Sequence, residues 1–422
     1  MKIRITDSQL VFALGTVANI SVLNIFGNTL YIYLSYGILL FLLLRRKQIS
    51  FSKNFYSLYL ASIIIGCVLC QVNSNFENGW KTRSVIVSIN MIVTYLLFGF
   101  IFKSDELKEK LFQGVYLGCL INLGWCYLQI VLYNLMGTDI NLIVFNFPSQ
   151  IKNGKLVYSA LVTHAGILVP VLVIGFLVSD LNILKVLFCI AAVMTRNATC
   201  MIAMAVCVFF YVVIVSKNGI RGIGKKKVVY ICLTLIVAIA FVLILWDKFN
   251  LAWSFRNVTE RIYSLTVLRK VTSGSDATHL RYLTSFPMIA SRLAPINFMF
   301  GSGMGTSGYY MSHYFGQYID KIWVVECDVI DIFYSVGLIG AFIFYASMAY
   351  IFFKGYKINK RYSVFSLTIT IAGFFYNFQM PWLYLIEFIM LWSVKNNVDC
   401  WGFFKLYSEG KNDYKKSTCD SY

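Results

Sequence analysis

The sequence predicts an all-α fold: a polytopic transmembrane bundle of about twelve helices with one large, partly helical extracytoplasmic loop. Three observations predict it. Of 422 residues, 59% are hydrophobic and only 13% are charged, whereas a soluble domain builds its surface with roughly 25% charged residues. The apolar residues also gather into runs of roughly 20, the length that crosses a hydrocarbon core as a helix. Finally, the basic residues between those runs collect on one side of the implied membrane, as they do when short loops stay in the cytoplasm.

The runs lie at 9–26, 29–44, 55–72, 84–102, 111–135, 156–178, 181–195, 198–216, 228–246, 326–353, 363–379 and 381–395. The first two approach each other around Gly27-Asn28. The seventh is short, carries Lys185 near its start and forms a hairpin with the eighth, turning at Thr195-Arg196-Asn197. Residues 1–246 thus hold nine spans, 247–325 form the loop, 326–395 hold three more spans, and 396–422 form a tail. A polar insertion as long as 247–325 needs helices of its own. Asn257 to Lys270 has an amphipathic pattern, and Asp276 can cap a helix from Ala277 toward Leu293 that Pro287 bends. Met1–Leu10 is short and basic and leads into no small-residue cleavage site, so no cleavable signal peptide is expected.

Twelve spans put Arg45-Arg46-Lys47, Lys103, Lys108, Lys110, Lys225-Lys226-Lys227, Lys354, Lys357, Lys360 and Arg361 on the same side. Both termini join them there, in the cytoplasm. Sparser charges, Lys81, Arg83, Lys152 and Lys155, fall on the other side. The net charge of +18 is therefore mostly a topology signal, and no nucleic acid is needed to explain it. The eleven cysteines lie mainly inside apolar runs and do not form a disulfide framework.

Several polar residues stand out against this background. Arg196 sits between two apolar runs, where a cation is expensive unless it snorkels or faces a polar cavity. The alternative is a plain interfacial turn. Arg281 and Arg292 are about three turns apart on one predicted helix, so they share a face. Two guanidiniums there suit a diphosphate, or form a solvated basic face. Gly301-Ser302-Gly303-Met304-Gly305 would let backbone amides approach an anion, or serve as a flexible turn. It lacks the Lys-Ser/Thr of a nucleotide-binding loop. His313, Glu326, Asp328 and Asp331 are candidate bases or interfacial solvated groups. His279 reads as a surface residue. His164 and Glu387 fall inside expected spans, where each needs a partner. No metal-ligand spacing is present, so neither a metal nor a cofactor is expected.

Three of these features occur in one order: the Met194-Thr195-Arg196-Asn197 hairpin followed by a basic patch; a large loop carrying Arg281, Pro295 and Phe300-Gly301-Ser302-Gly303-Met304-Gly305; and Glu326-Cys327-Asp328-Val329-Ile330-Asp331 running into Gly337-Leu338-Ile339-Gly340. Over roughly residues 180–345 the chain resembles the O-antigen and capsular repeat-unit polymerases, the Wzy-type proteins, of the O-antigen polymerase and ligase superfamily. The resemblance implies metal-independent glycosyl transfer at the outer face of the bacterial plasma (inner) membrane, in lipopolysaccharide or capsule polysaccharide biosynthesis. Donor and acceptor would be undecaprenyl-diphosphate-linked glycans in membrane lipid. It leaves room for a chain-length regulator as a protein partner.

Carried onto this sequence, Arg196 and Arg281 would hold the diphosphate and Arg292 would assist. Glu326 or His313, or neither, would be the base. Glu326 stands where ligases tend to have His-Asn, which favours polymerase over ligase. A lipid-linked oligosaccharide flippase is the rival from the transporters, but related halves are not evident. A non-catalytic scaffold would need neither the arginine at the membrane edge nor the glycine-rich loop.

Overall fold

A computed structural model describes residues 6–25, 28–45, 55–152, 155–215, 286–310, 325 and 327–404. In chain order the helices are α1 (Asp7–Ala18), α2 (Leu30–Leu44), α3 (Phe55–Val72), α4 (Asn78–Ile101), α5 (Asp105–Met136), α6 (Ile140–Phe145), α7 (Leu168–Val178), α8 (Asn182–Met194) and α9 (Ala198–Phe210). Then come α10 (Pro295–Phe300), α11 (Asp328–Ile358), α12 (Arg361–Gly373) and α13 (Pro381–Lys395). Among the described residues, strand pairing is limited to two antiparallel ladders of two-residue strands, Asn24–Ile25 with Asn28–Thr29 and Ile151–Lys152 with Lys155–Leu156.

Among the described residues, four helices are long and apolar enough to cross a membrane: α4, α5, α9 with its π-helical extension to Val215, and α11. The helices α2, α3, α7 and α8 are apolar but shorter. Large apolar side chains face outward; on α11, Phe342 is 73% and Phe353 70% exposed. That pattern suits lipid, where an apolar exterior carries no penalty. The described cysteines are all free.

Two expected spans differ as helices. The first is only Asp7–Ala18, begun by a capping box in which Thr6 and Gln9 bond each other's backbone. In the sixth, residues 157–164 are not helical, and the α-helix starts at Leu168 after a 3₁₀ turn, Ala165–Ile167. From Leu156 to Val162 every residue is buried. Buried non-helical backbone must find partners inside the protein. Here Gln129 Oε1 accepts from the Ala160 amide at 2.7 Å and Asn122 Oδ1 from the Leu161 amide at 3.1 Å. Asn141 Nδ2 donates to the Ala160 carbonyl at 2.8 Å. Amide side chains of α5 and α6 thus hold this segment. The ninth expected span, 228–246, lies outside the described residues, as do 247–285 of the expected loop and the tail beyond 404.

Close helix approach is built on small residues. Gly15 of α1 meets Gly114 of α5; a Cβ on Gly15 would lie 2.3 Å from the Leu111 carbonyl oxygen, and one on Gly114 2.2 Å from that of Phe12. Gly114 and Gly118 form the small-xxx-small spacing that lets membrane helices touch backbone to backbone. Alanine at Gly114 would overpack the crossing at a cost of about 1–3 kcal/mol.

The bundle has two distinct ends. At one, Arg45 meets Asp7 at 3.5 Å, Lys108 meets Asp105 at 2.6 Å and Arg361 meets Asp180 at 3.6 Å. At the other lie the α8–α9 turn, the start of α11 and the link between α12 and α13. Residues 286–310 pack there as a second small core: Ile289 and Tyr310 are buried with Cys70 and Phe76 beside α3 and with Phe333 and Tyr334 of α11.

Candidate functional site

Arg196 occupies the turn between α8 and α9, where the apolar runs place it. Asn197 ends the turn by capping α9, its Oδ1 accepting from the amides of Thr199 at 2.9 Å and Cys200 at 3.2 Å. Arg196 itself has φ 57, a left-handed backbone that non-glycine residues seldom adopt. Its side chain turns inward and is only 5% exposed. Nη1 donates to the Leu156 carbonyl at 3.1 Å, and the guanidinium carbon lies 5.2 Å from the centre of the Tyr158 ring. The other guanidinium nitrogens make no hydrogen bond among the described residues, and no carboxylate there pairs with them. A buried charge without a counter-charge is costly unless something anionic joins it.

The second cluster surrounds the start of α11. Asp331 is buried, one oxygen accepting from Ser307 Oγ and the other from Asn377 Nδ2 at 2.6 Å. The Val325 amide donates to Ser307 Oγ at 3.2 Å. Asp328, also buried, accepts from the Phe378 amide at 3.4 Å. Both acids sit in the first turn of α11, where the positive end of the helix dipole favours them. Arg83 of α4 lies in the field of Asp331 and packs over Gly305. Glu387 of α13 is buried within the field of Asp328 and accepts no hydrogen bond among the described residues. Asp328 is a like charge, so it is not the partner that a carboxylate inside a span needs. His164 lies exposed in the turn before α7, outside any helix.

The glycine-rich loop departs from the sequence expectation. An anion cradle needs free amides, and the first three of this loop are occupied: Gly301 N–H donates to the Asn297 carbonyl at 2.8 Å, Ser302 N–H to that of Tyr334 at 2.8 Å and Gly303 N–H to that of Ser335 at 3.0 Å. The carbonyls are open because α11 is broken at Gly337, whose φ is 70. Gly301, with φ 77, lies against that break; a Cβ on it would be 2.4 Å from the Ser335 oxygen. Gly301 and Gly303 therefore seal a broken helix rather than cradle an anion. Ser302 adds side-chain bonds to Asn297, at 3.0 Å, and to Tyr310.

A chain of contacts joins the two clusters. The Cys200 thiol donates to the Ala165 carbonyl at 2.9 Å. Tyr376 packs on the adjacent Gly166, its ring 5.9 Å from Phe378. Asn377 and Phe378 then bond Asp331 and Asp328. Arg292 is exposed in the turn after a helical stretch at 286–291, which contains Pro287. Arg281, His313 and Glu326 lie outside the described residues. Their relation to Arg196, and the face expected to join Arg281 to Arg292, lie outside them too.

Sequence reasoning passed over Arg83 and Tyr158. Arg83 had been assigned only to a sparse outer charge. Its signal is a cation within a membrane-length helix. Tyr158 sat in an expected helix, and only the amides at Asn122 and Gln129, about two turns apart on α5, hint that the neighbouring backbone is extended. No model of a known protein family matches the chain, and a search of curated proteins gives no match.

Proposed function

We propose that this protein polymerises undecaprenyl-diphosphate-linked oligosaccharide repeat units into O-antigen or capsular polysaccharide, at the outer face of the bacterial inner membrane. The observation that carries the proposal is Arg196: a buried guanidinium at a helix turn, with no carboxylate among the described residues to neutralise it. A diphosphate supplies the missing charge, and its oxygens match the guanidinium fork.

In the proposed reaction the bond between the donor's anomeric carbon and the diphosphate oxygen breaks. A bond forms from that carbon to an acceptor hydroxyl oxygen. The hydroxyl proton passes to a base, Glu326 or His313, and undecaprenyl diphosphate leaves with the electron pair. Arg196 and Arg281 stabilise the charge growing on the leaving diphosphate, the kind of interaction that often dominates catalysis. Arg292 assists at the mouth. Gly305 and Asp328 belong to the floor of the same end of the bundle. The basic end, with Arg45, Lys108 and Arg361, faces the cytoplasm, together with both chain termini.

The test is a gel of lipopolysaccharide from a deletion strain of an O-antigen-producing host, with the wild-type gene restored as control. Loss of the polymerase leaves core carrying a single repeat unit and no ladder. A normal ladder, or bare core alone, contradicts the proposal; bare core points to a ligase or flippase.

A further inference from the structure

We propose that Tyr158 is a positioning residue for Arg196, holding the guanidinium plane so that its unbonded edge meets a diphosphate. The inference rests on the function proposed above and adds a residue to its anion site.

Arginine carries four rotatable side-chain bonds, so an unsupported guanidinium sweeps many orientations and loses entropy on binding. In this structure it is fixed from three sides. The left-handed backbone at Arg196 sets the direction in which the side chain leaves the turn. The Leu156 carbonyl takes one edge, at Nη1, at 3.1 Å. The Tyr158 ring lies under the guanidinium carbon at 5.2 Å, within cation–π range.

Tyr158 is itself held by its surroundings. It is fully buried, its hydroxyl accepts from Asn134 Nδ2 of α5 at 3.0 Å, and Tyr133 meets it edge-on with ring centres 6.2 Å apart. The backbone on which Leu156 and Tyr158 ride is the buried segment held by Asn122, Gln129 and Asn141. Three amide side chains are thus spent on a short non-helical stretch whose carbonyl and ring both engage Arg196. A ring attracts a guanidinium without neutralising its charge, whereas a carboxylate would compete with the phosphate. Holding by ring and carbonyl orients the cation and leaves it available.

The test measures binding of farnesyl diphosphate, a short-chain prenyl diphosphate, to the full-length protein in detergent, with farnesol as the control for the tail. Tyr158→Phe keeps the face and should bind within about twofold of wild type. Tyr158→Leu removes the face and should weaken binding by on the order of tenfold to thirtyfold. Arg196→Ala should weaken it at least as much. The Tyr158→Leu/Arg196→Ala double variant should be no weaker than Arg196→Ala alone, because the ring acts only through the arginine. Farnesol binding should be unchanged throughout.

If Tyr158→Leu does not fold, Tyr158→Met fills the space with a flexible apolar chain and carries the same expectation. Wild-type binding by Tyr158→Leu or Tyr158→Met while Arg196→Ala is impaired overturns the positioning role alone. So do additive losses in the double variant, which mark a purely structural effect. Wild-type binding by Arg196→Ala overturns instead the assignment of Arg196 to the diphosphate.

Discussion

Lys108 and Arg196 are both buried cations, 1% and 5% exposed, and both lie against an aromatic ring, Trp392 at 3.7 Å and Tyr158 at 5.2 Å. They stand at opposite ends of the bundle and differ in one respect. Lys108 has Asp105 at 2.6 Å; Arg196 has a backbone carbonyl and, among the described residues, no carboxylate. A cation with a paired acid and a ring is a finished structural element. One with a ring and a carbonyl is held in place but not neutralised, and retains its attraction for an incoming anion. The same contrast divides the acids at the site end: Asp331 has two side-chain donors, while Glu387 has none among the described residues.

The contrast breaks most directly at Arg196. Arg196→Ala should abolish the polymer ladder, with a turnover loss of about 10²–10³-fold of the size seen for lost charge-stabilising donors. Protein level and melting temperature should stay near wild type, measured by immunoblot and thermal denaturation. A large fall in melting temperature with the ladder intact would make Arg196 a second Lys108. Arg196→Lys should recover little of the ladder, because a point charge cannot present a planar fork to two phosphate oxygens or share the Leu156 carbonyl in the same geometry.

Lys108→Ala should show the opposite profile. The ladder should survive, and stability should fall by about 1–2 kcal/mol from the lost ring contact and stem packing. Thermal denaturation in detergent reads this as a downward shift. The smallest effect is expected for Asp105→Asn. Asp105 is 79% exposed in its side chain, so its pair with Lys108 is screened by solvent, and the loss should be under about 1 kcal/mol. A larger loss would show that Lys108 depends on this one carboxylate for more than a screened surface pair supplies.

The sequence made some of these features legible and hid others for physical reasons. The α8–α9 turn was readable because its determinants are local: two apolar runs, a cation between them and an asparagine that caps the next helix. The acids at the start of α11 were readable because they adjoin a long uncharged run. The buried segment at 156–162 was not, since apolar residues serve a buried extended strand and a spanning helix equally well. What decides between them is the set of amide side chains on α5 and α6, distant in sequence. The glycine-rich loop was half legible. Its glycines do mark unusual backbone, with φ of 77, 94 and 78 at Gly301, Gly303 and Gly305. The carbonyls of Tyr334 and Ser335, which take the Ser302 and Gly303 amides, become available only through the break at Gly337, which hydropathy does not register.

The central claim is that Arg196 holds a diphosphate leaving group, and transfer itself tests it most directly. Purified wild-type protein in proteoliposomes, supplied with the purified undecaprenyl-diphosphate-linked repeat unit of its host, should extend that unit into a ladder of oligomers and release undecaprenyl diphosphate. Folded Arg196→Ala protein under the same conditions should release neither. Oligomers formed by Arg196→Ala at the wild-type rate would contradict the account.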